Sequence, residues 1–260
     1  MASEFLKQRK EKLARVPNPC PAEITFNGSK GQFWLYDPSI EEKDKRRTQI
    51  KSKAIRLVIL GLAKRFKYIQ GAKGNAKAVN VSSNYFQDYN TDTIQVWDNG
   101  EVACAGLYED IKDEIRDLNA KVQDCYFALL DRGEKEAALP VVFVAPGGKK
   151  SIMRKAWKKV GGYAAEPYIE LSAGKKVEGA SFDYIEINFS ILDVEAMSEA
   201  LIAQVDEVGP NVIMYLADNI KRAKAGDVDA PFEDKMSTQS DQDMGEDEDD
   251  DFDDNDGLDV

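Results

Sequence analysis

The sequence predicts a mainly β protein with added helices (α+β), built on a small five-stranded barrel with one helix between its third and fourth strands. Short runs of alternating or wholly apolar residues, separated by Gly, Pro, Asn and Asp, support the β class. Among these runs, residues 107–119 instead have apolar side chains at helical spacing. A helical extension and a highly charged terminus follow the predicted barrel.

The first predicted strand is GQFWLYDP (31–38). Strand alternation places Phe33 and Leu35 on one face and Trp34 and Tyr36 on the other. The Asp-Pro pair at its end stops the strand, and a charged stretch follows.

The second predicted strand is the long run AIRLVILGLAKRFKYIQG (54–71). Its first half is apolar on both faces, as in a buried strand, whereas its second half mixes basic and aromatic residues and is expected to reach solvent. Gly61 in the middle favours a bulge or a bend. The next residues, GAKGNAK (71–77), predict a flexible, positively charged loop.

Further predicted strands enclose one amphipathic helix. Asp-Asn-Gly at 98–100 predicts a tight turn between two of them. One helix between the third and fourth strands of a small closed sheet is the topology of the oligonucleotide-binding barrel, and we expect helix 107–119 to plug that barrel. The remaining strands are predicted at 78–86, 93–106, 122–131 and 138–146, with a helix at 149–159 and a hairpin at 167–192.

Prolines and charge divide the chain into four parts. Three prolines between residues 17 and 21 predict a linker after a basic, weakly amphipathic start. Two helical runs, 195–208 and 211–226, are separated by a Gly-Pro pair. The predicted parts are a basic arm with its Pro linker (1–30), the barrel domain (31–193), a helical extension (194–226) and a disordered acidic tail (227–260).

The residue types present exclude most catalytic chemistry. The chain has no histidine, which removes Ser–His–Asp and Cys–His arrangements and most catalytic zinc sites. Cys20, Cys104 and Cys125 have no CxxC spacing and are expected to be cytosolic thiols. PGGKKS (146–151) departs from the phosphate-loop pattern, and DDNDG in the tail departs from a calcium loop. We therefore predict no catalytic residue, no metal and no cofactor, with carboxylate-based, metal-dependent catalysis left as an alternative.

The net charge of −12 is unevenly distributed. Residues 227–260 contain 16 acids and a single base, Lys235, which gives this segment a charge of −15. Residues 1–226 contain 34 bases and 31 acids, so the body of the protein carries +3. The mildly basic body and the strongly acidic tail are therefore interpreted separately.

Hydropathy favours a cytoplasmic protein. No apolar stretch approaches the roughly 20 residues that a membrane helix needs. The first residues, MASEFLKQRKEKLARV, lack the hydrophobic run of a signal peptide. We expect the cytoplasm, or the host-cell cytoplasm if the protein is viral, and no membrane partner.

Two stretches combine basic and aromatic residues. Residues 43–77 contain twelve bases and one acid, with Phe66 and Tyr68 among them, and residues 149–159 contain six bases and Trp157. Lys and Arg neutralise phosphates without sequence preference, and aromatic rings stack on unpaired bases, so the combination favours single strands. The predicted phosphate ligands are Lys64, Arg65, Lys67, Lys73, Lys77, Lys149, Lys150, Arg154, Lys155 and Lys158, and the predicted stacking residues are Phe66 and Tyr68, with Trp34, Tyr36, Trp97 and Trp157 as further candidates.

Each of these features has a structural alternative. A basic run is also typical of an ordinary solvated surface, above all at 43–56. Aromatic residues that alternate with apolar neighbours, such as Trp34 and Trp97, fit a core equally well. Phe66 and Tyr68 lie among charges, so we interpret them as surface residues.

Taken in order, several pieces of the chain resemble the single-stranded-DNA-binding proteins that tailed bacteriophages encode. The pieces are FWLYDP, RLVILGLAKRFKYIQG, VNVSSNYFQD, IQVW, AGLYEDIKDEI, KVQDCYFAL, KAWKK and the acidic terminus. The resemblance covers roughly residues 31–193 and the tail. It implies an oligonucleotide-binding barrel, no catalysis, a groove lined by aromatic and basic residues, and a tail that contacts replication proteins. Several of those families end in Phe, whereas this chain ends in Leu258-Asp259-Val260.

The sequence therefore predicts a non-enzymatic protein that coats and protects single-stranded DNA in (phage) DNA replication and recombination. We expect the tail to occupy the basic groove as a nucleic-acid mimic, and then to recruit replication or recombination proteins through Phe252 and Leu258. The alternatives are a purely solubilising tail, an acidic chaperone or inhibitor whose tail binds a basic protein, and a carboxylate metal-dependent nuclease. A homo-oligomer and a preference for RNA both stay open.

Overall fold

The computed structural model describes residues 15–70, 79–146, 157, 167–178 and 183–226. Within these ranges the chain forms one large mixed β-sheet and two α-helices, so the predicted mainly β, α+β class is confirmed. The strands are β1 (Ala22–Asn27), β2 (Gln32–Tyr36), β3 (Arg47–Gln49), β4 (Ala54–Gln70), β5 (Val79–Ser83), β6 (Ile94–Asp98), β7 (Glu101–Gly106), β8 (Lys121–Asp131), β9 (Leu139–Pro146), β10 (Tyr168–Glu178) and β11 (Asp183–Ile191). The helices are α1 (Tyr108–Asp117) and α2 (Glu199–Ala225).

The sheet is open. Its main path runs β3-β2-β1-β9-β8-β4-β5-β6-β7, while β10 pairs with both β4 and β11. β1 and β9 are parallel, whereas the other neighbouring strands are antiparallel. The pairing of the described strands therefore does not confirm the five-stranded barrel expected from the sequence.

The sheet begins with a strand where the sequence predicts an arm and a linker. AEITFN forms β1, and its buried residues Ala22, Ile24 and Phe26 alternate with half-buried ones. The prediction is wrong because the prolines that favour a linker end at Pro21, directly before the strand, where a missing N–H removes no bond from inside the ladder. The sheet thus starts at Ala22 rather than at residue 31.

β4 is a 17-residue strand that joins the two halves of the sheet. One edge pairs with β8, and the other pairs first with β10 and then with β5. The register along β8 shifts between Ile59 and Gly61, which confirms the bulge predicted at Gly61. A Cβ atom on Gly61 would lie 3.0 Å from Cγ1 of Val212 in α2. Glycine therefore also allows the helix to approach the strand closely.

The main core lies on one face of the sheet. It combines side chains from β1, β2, β8, β9, β10 and β11 with the first half of β4. Burial of apolar surface, which stabilises by about 25 cal/mol per Å² removed from water, is the main contribution that holds such a sheet together. The fully buried members of the core include Ile24, Phe33, Leu57, Tyr126, Phe143 and Ile169.

A second buried cluster, which we call the α1 cluster, lies beneath α1. Ile111 and Ile115 of this helix pack on Phe66, Phe86 and neighbouring residues of β4, β5 and β6. The helix predicted at 107–119 is confirmed, but its buried residues Ile111 and Ile115 lie outside the main core, so its expected role as the plug of a barrel is not confirmed. Its apolar face has the spacing of any amphipathic helix, and that spacing does not specify which part of a sheet it meets.

The turn predicted at 98–100 and the hairpin predicted at 167–192 are both confirmed. In the turn at 98–100, Asn99 and Gly100 both have positive φ (50° and 91°), as a tight hairpin turn of this type requires. The hairpin predicted at 167–192 is formed by β10 and β11. Of the basic segment 149–159, Trp157 alone lies within the described residues.

α2 is one helix where two were predicted. Pro210 lies inside it, and the helix continues from the N-cap Ser198 to Gly226, whose φ of 69° ends it. Proline removes one hydrogen bond and disfavours the helix locally, but α2 buries a whole apolar stripe against the sheet. That stripe contains Leu201, Val212, Leu216 and Ala223. No helix within the described ranges is long and apolar enough to cross a membrane.

The proline-containing segment before β1 packs on the body. Cys20 is 1% exposed and lies against Cys125, Val142 and Val212 in a cluster under α2. The amide of Val16 points at Oδ2 of Asp218 in α2, 3.5 Å away. From Val16 onwards this segment is therefore part of the folded unit, while residues 1–14 of the predicted arm lie outside the described residues.

Candidate nucleic-acid interface

β1, β2 and β3 place aromatic, basic and amide side chains together on the face opposite the main core. Tyr36 is paired with Glu23 on one side and with Arg47 on the other, and Trp34 is paired with Gln49. Directly paired residues project to the same face of a sheet. Phe33 and Leu35 point to the main core instead, so the alternation predicted for β2 is confirmed.

Arg65 of β4 extends this face towards β8. Its Nη2 donates to Oε2 of Glu23 at 2.8 Å, and its Nε donates to Oε1 of Gln123 at 3.0 Å. The Arg65 side chain is 10% exposed and the Glu23 side chain 23% exposed, so the ion pair is mostly shielded from water. It ties β4, β8 and β1 together across the sheet.

Glu23 lies among three cations. Burial by itself would raise the pKa of Glu23, but the charges of Arg65, Lys67 and Arg47 and the hydrogen bond from Arg65 together lower it below its usual value. For Arg65, burial acts to lower the pKa, and Glu23 with neighbouring groups raises it well above the ordinary value. Both side chains are therefore charged at neutral pH, and the cations outnumber the carboxylate they surround.

Arg47 and Trp34 interact directly. The guanidinium carbon of Arg47 lies 5.2 Å from the centre of the Trp34 ring, a cation–π arrangement. Trp34 is half-buried, and its indole nitrogen has no hydrogen-bond partner within the described residues. A flat ring and a guanidinium group thus lie side by side at the sheet surface. We call Glu23, Trp34, Tyr36, Arg47, Arg65 and Lys67 the outer patch.

The outer patch and α2 lie on the same face of the sheet. The patch begins on β4 directly after the part of that face that α2 covers. Ala63 of β4 and its partner Cys125 of β8 lie in the cluster beneath α2. Two residues further along β4, Arg65 is the first member of the outer patch, and Lys67 follows it. The second half of β4 therefore has one face turned to the outer patch and the other turned to the α1 cluster.

Phe66 was the leading stacking candidate, and the structure corrects that assignment. It is 3% exposed, and its ring stacks on Phe86 and on Tyr108 with centroids 5.5 Å and 6.0 Å away. Tyr68 is half-buried and packs against the same α1 cluster. α1 occupies the face on which a base would have to stack, so this face of β4 belongs to the interior.

Two predicted phosphate ligands have protein partners instead. Lys64 donates to the carbonyl oxygen of Gln87 at 2.8 Å, and its ammonium lies 5.0 Å from the centre of the Tyr89 ring. Arg65 is held by Glu23 and Gln123, so it positions the outer patch rather than offering a freely accessible cation. Lys67 is half-exposed on the outer patch.

The two remaining tryptophan candidates belong to the interior. Trp97 on β6 is 2% exposed, and Trp157 is 4% exposed. Trp157 packs on Tyr126 and Phe189, with ring centroids 5.5 Å and 5.2 Å away, as part of the main core. The alternative that such aromatics are core residues is therefore correct for Trp97, and Trp157, for which stacking alone was predicted, is a core residue as well.

Several predicted site residues lie outside the described residues, and the structure leaves those predictions as they stand. They are Lys73, Lys77, Lys149, Lys150, Arg154, Lys155, Lys158, Phe252 and Leu258.

Arg47, Gln49 and Glu23 were not among the predicted site residues. Arg47 was inside the counted basic run, but β3 has only three residues, too few for alternation to reveal its face. Glu23 was in the segment interpreted as a linker. The described residues contain no group of three or more Cys, Asp or Glu side chains placed to hold a metal ion.

Comparison of the chain with protein-family models, with curated proteins and with solved structures found no match. The outer patch and the distribution of charge along the chain are therefore the features from which a function can be inferred.

Proposed function

We propose that this protein binds single-stranded DNA across the outer patch, without strong sequence preference and without catalysis. The observation that supports this most directly is the group of Trp34, Tyr36, Arg47 and Lys67 on one face of the sheet. Cations neutralise the phosphates, and half-exposed rings offer surfaces for unstacked bases, worth about 1–3 kcal/mol per base. A duplex hides the base faces, which favours single strands.

The proposal includes a barrel of the oligonucleotide-binding type. One main core is shared by β1, β2, β4, β8, β9, β10 and β11, as a curved sheet wrapped around its own side chains would share it. In addition, the amide of Ile185 in β11 donates to the carbonyl oxygen of Gly28, in the turn between β1 and β2, at 2.7 Å. These contacts support a small barrel in which the outer patch lies on the external surface of the strands.

The acidic tail is assigned a regulatory part in this proposal. Its charge of −15 is opposite to that of the outer patch, so it competes with DNA for the same cations. DNA would displace it and leave it available to replication or recombination proteins, through Phe252 and Leu258. The protein would in this way coat and protect single strands during DNA replication and recombination.

Fluorescence anisotropy with labelled single-stranded and duplex oligonucleotides, over a salt series, tests the proposal. Full-length protein should bind the single strand more tightly, and binding should weaken as salt rises. An Arg47→Ala/Lys67→Ala variant should lower the slope of log K against log salt by about 1.4, because each phosphate contact contributes about 0.7 for single strands.

The matched control replaces two cations of α1, Lys112→Ala/Arg116→Ala, which lie in exposed pairs with Glu109 and Asp113. It should leave the slope unchanged. Equal slopes for wild type and the Arg47→Ala/Lys67→Ala variant would contradict the assignment of the interface.

Truncation to residues 1–226 separates the proposal from its main alternative. If the tail competes with DNA, the truncated protein should bind single strands more tightly than the full-length protein. If neither form binds, the proposal fails, and the tail itself becomes the candidate functional part, as a DNA mimic for a basic protein.

A further inference from the structure

α2 carries three large apolar side chains that are exposed to solvent. Ile213, Met214 and Ile202 are 65%, 52% and 42% exposed. Next to Ile213, a groove of about 510 Å³ lies between α2 and β4 and is lined by Leu60, Gly209 and other mostly apolar residues. Neighbouring large apolar side chains at a protein surface are typical of an interaction site.

The first half of α2 exposes acidic side chains, and its second half exposes basic ones. Asp206 and Glu207 are exposed one to two turns before Ile213, and Lys221 and Lys224 are exposed two to three turns after Met214. The exposed apolar pair therefore separates an acidic segment from a basic one. A surface with this pattern is complementary to itself when a second copy lies antiparallel.

We propose that α2 binds α2 of a second copy of this chain, antiparallel, about a two-fold axis at Ile213 and Met214. Asp206 precedes Ile213 by seven residues, and Lys221 follows Met214 by seven. Seven residues are about two helical turns, so each charge lies on the same side of the helix as its apolar partner. The antiparallel pair then places Asp206 of each copy opposite Lys221 of the other, twice in one interface.

Small residues allow the two helices to approach. Gly209 borders the groove, and Ala217 lies two turns further along the helix on the same wall. Side chains of this size, and the groove beside them, leave room for the Ile213 and Met214 side chains of the second copy. Burial of four large exposed side chains is the main favourable contribution in such a pair.

The tails also favour an antiparallel arrangement. Each acidic tail follows Gly226, directly after the C-terminus of α2, and each carries −15. Antiparallel helices of 27 residues, about 40 Å long, would start the two tails at opposite ends of the interface. A parallel pair would start both tails at the same end, where like charges repel. This inference does not rest on the proposed DNA binding.

Sedimentation velocity of the full-length protein, from nanomolar to high micromolar concentration, tests the inference. The wild type should pass from monomer to dimer. An Ile213→Asp/Met214→Asp variant should dimerise at least about 100-fold more weakly, because carboxylates would replace the apolar contact. Val102→Asp is the matched control, since Val102 is 57% exposed on β7, and it should dimerise as the wild type does.

Exchange of the charges tests the orientation. Asp206→Lys alone and Lys221→Asp alone should each weaken dimerisation about ten-fold, and the double variant should restore it. Circular dichroism checks that α2 is intact in each variant, and Ile213→Ser/Met214→Ser replaces the aspartate variant if helix content falls. A wild type that is monomeric throughout, a dimer that survives the apolar substitutions, or a double exchange that does not restore dimerisation would each overturn the inference.

Discussion

The outer patch and the second half of β4 present the same kinds of residue in opposite environments. On β2, Trp34 and Tyr36 alternate with core residues and lie half-buried at the surface, with the Arg47 guanidinium over the indole. On β4, Phe66 and Tyr68 alternate with basic residues, yet Phe66 lies between two other rings beneath α1. Alternation specifies which residues share a face, and the helix that packs on that face decides whether they are exposed.

The difference follows from where α1 returns to the sheet. β5, β6 and β7 extend the sheet beside the second half of β4, and Ile111 and Ile115 bring α1 down onto that extension. Aromatic residues there gain far more from burial than from exposure. Of the cations of the same strand, Lys67 lies on the outer patch, and Lys64 donates to the carbonyl oxygen of Gln87 at its border.

The largest effect that separates the two regions is on stability. Phe66→Ala should lower the free energy of unfolding by about 3–5 kcal/mol, because it removes a ring at the centre of the α1 cluster and leaves a cavity. Trp34→Ala should lower it by clearly less, since Trp34 is half-buried. Urea unfolding followed by circular dichroism measures both. A similar loss for the two variants would show that the regions are not different in this respect.

The next effect is on DNA affinity, and a pair of tyrosines reveals it. Tyr36→Ala should weaken single-strand binding by about 1–3 kcal/mol, or roughly 5- to 150-fold in Kd, through the loss of one stacking surface. Tyr68→Ala should leave Kd unchanged, because Tyr68 packs in the α1 cluster. Anisotropy at one fixed salt concentration is sufficient. If Tyr68→Ala weakened binding and Tyr36→Ala did not, the DNA would bind on the α1 side of β4 instead of on the outer patch.

The smallest effect is the pH dependence of the contribution that Glu23 of the outer patch makes to stability. The pKa of Glu23 is lowered in the folded protein, so its contribution to stability is complete above its ordinary value of 4.5 and is lost as the pH falls through the lower folded value. The difference in unfolding free energy between wild type and Glu23→Gln should therefore shrink in acid. In an Arg65→Met background this pH dependence should largely disappear, because the main partner of the carboxylate is gone. If the pH dependence were the same in the Arg65→Met background, the lowered pKa of Glu23 would be due to another cation.

The sequence was sufficient for elements whose pattern is local. The alternation of GQFWLYDP, the Asp-Asn-Gly turn and the bulge at Gly61 were all predicted from neighbouring residues, and the structure confirms them. Helix α1 was predicted for the same reason. Trp34 and Tyr36 were named as candidates, and they lie on the outer patch.

Properties that depend on distant residues were not predictable in the same way. β1 pairs with β2 and β9, and its short alternating run after three prolines carried little signal by itself. The Gly-Pro pair in α2 was interpreted as a break, because its local preference is clear while the packing that outweighs it comes from β4 and β8. Glu23 and Arg65 are 42 residues apart in sequence, so their ion pair had no local signature.

The parallel pairing of β1 with β9 has a consequence for how the chain assembles during synthesis. Ile24 is paired with Phe143, which emerges from the ribosome about 120 residues later. At about 5–20 residues per second this is a wait of roughly 6–24 s, during which one edge of β1 has no partner strand. Closure of the main core waits longer still, for β10 and β11. Folding of the body is thus dominated by contacts between remote segments, which makes it slow and largely dependent on the completed chain.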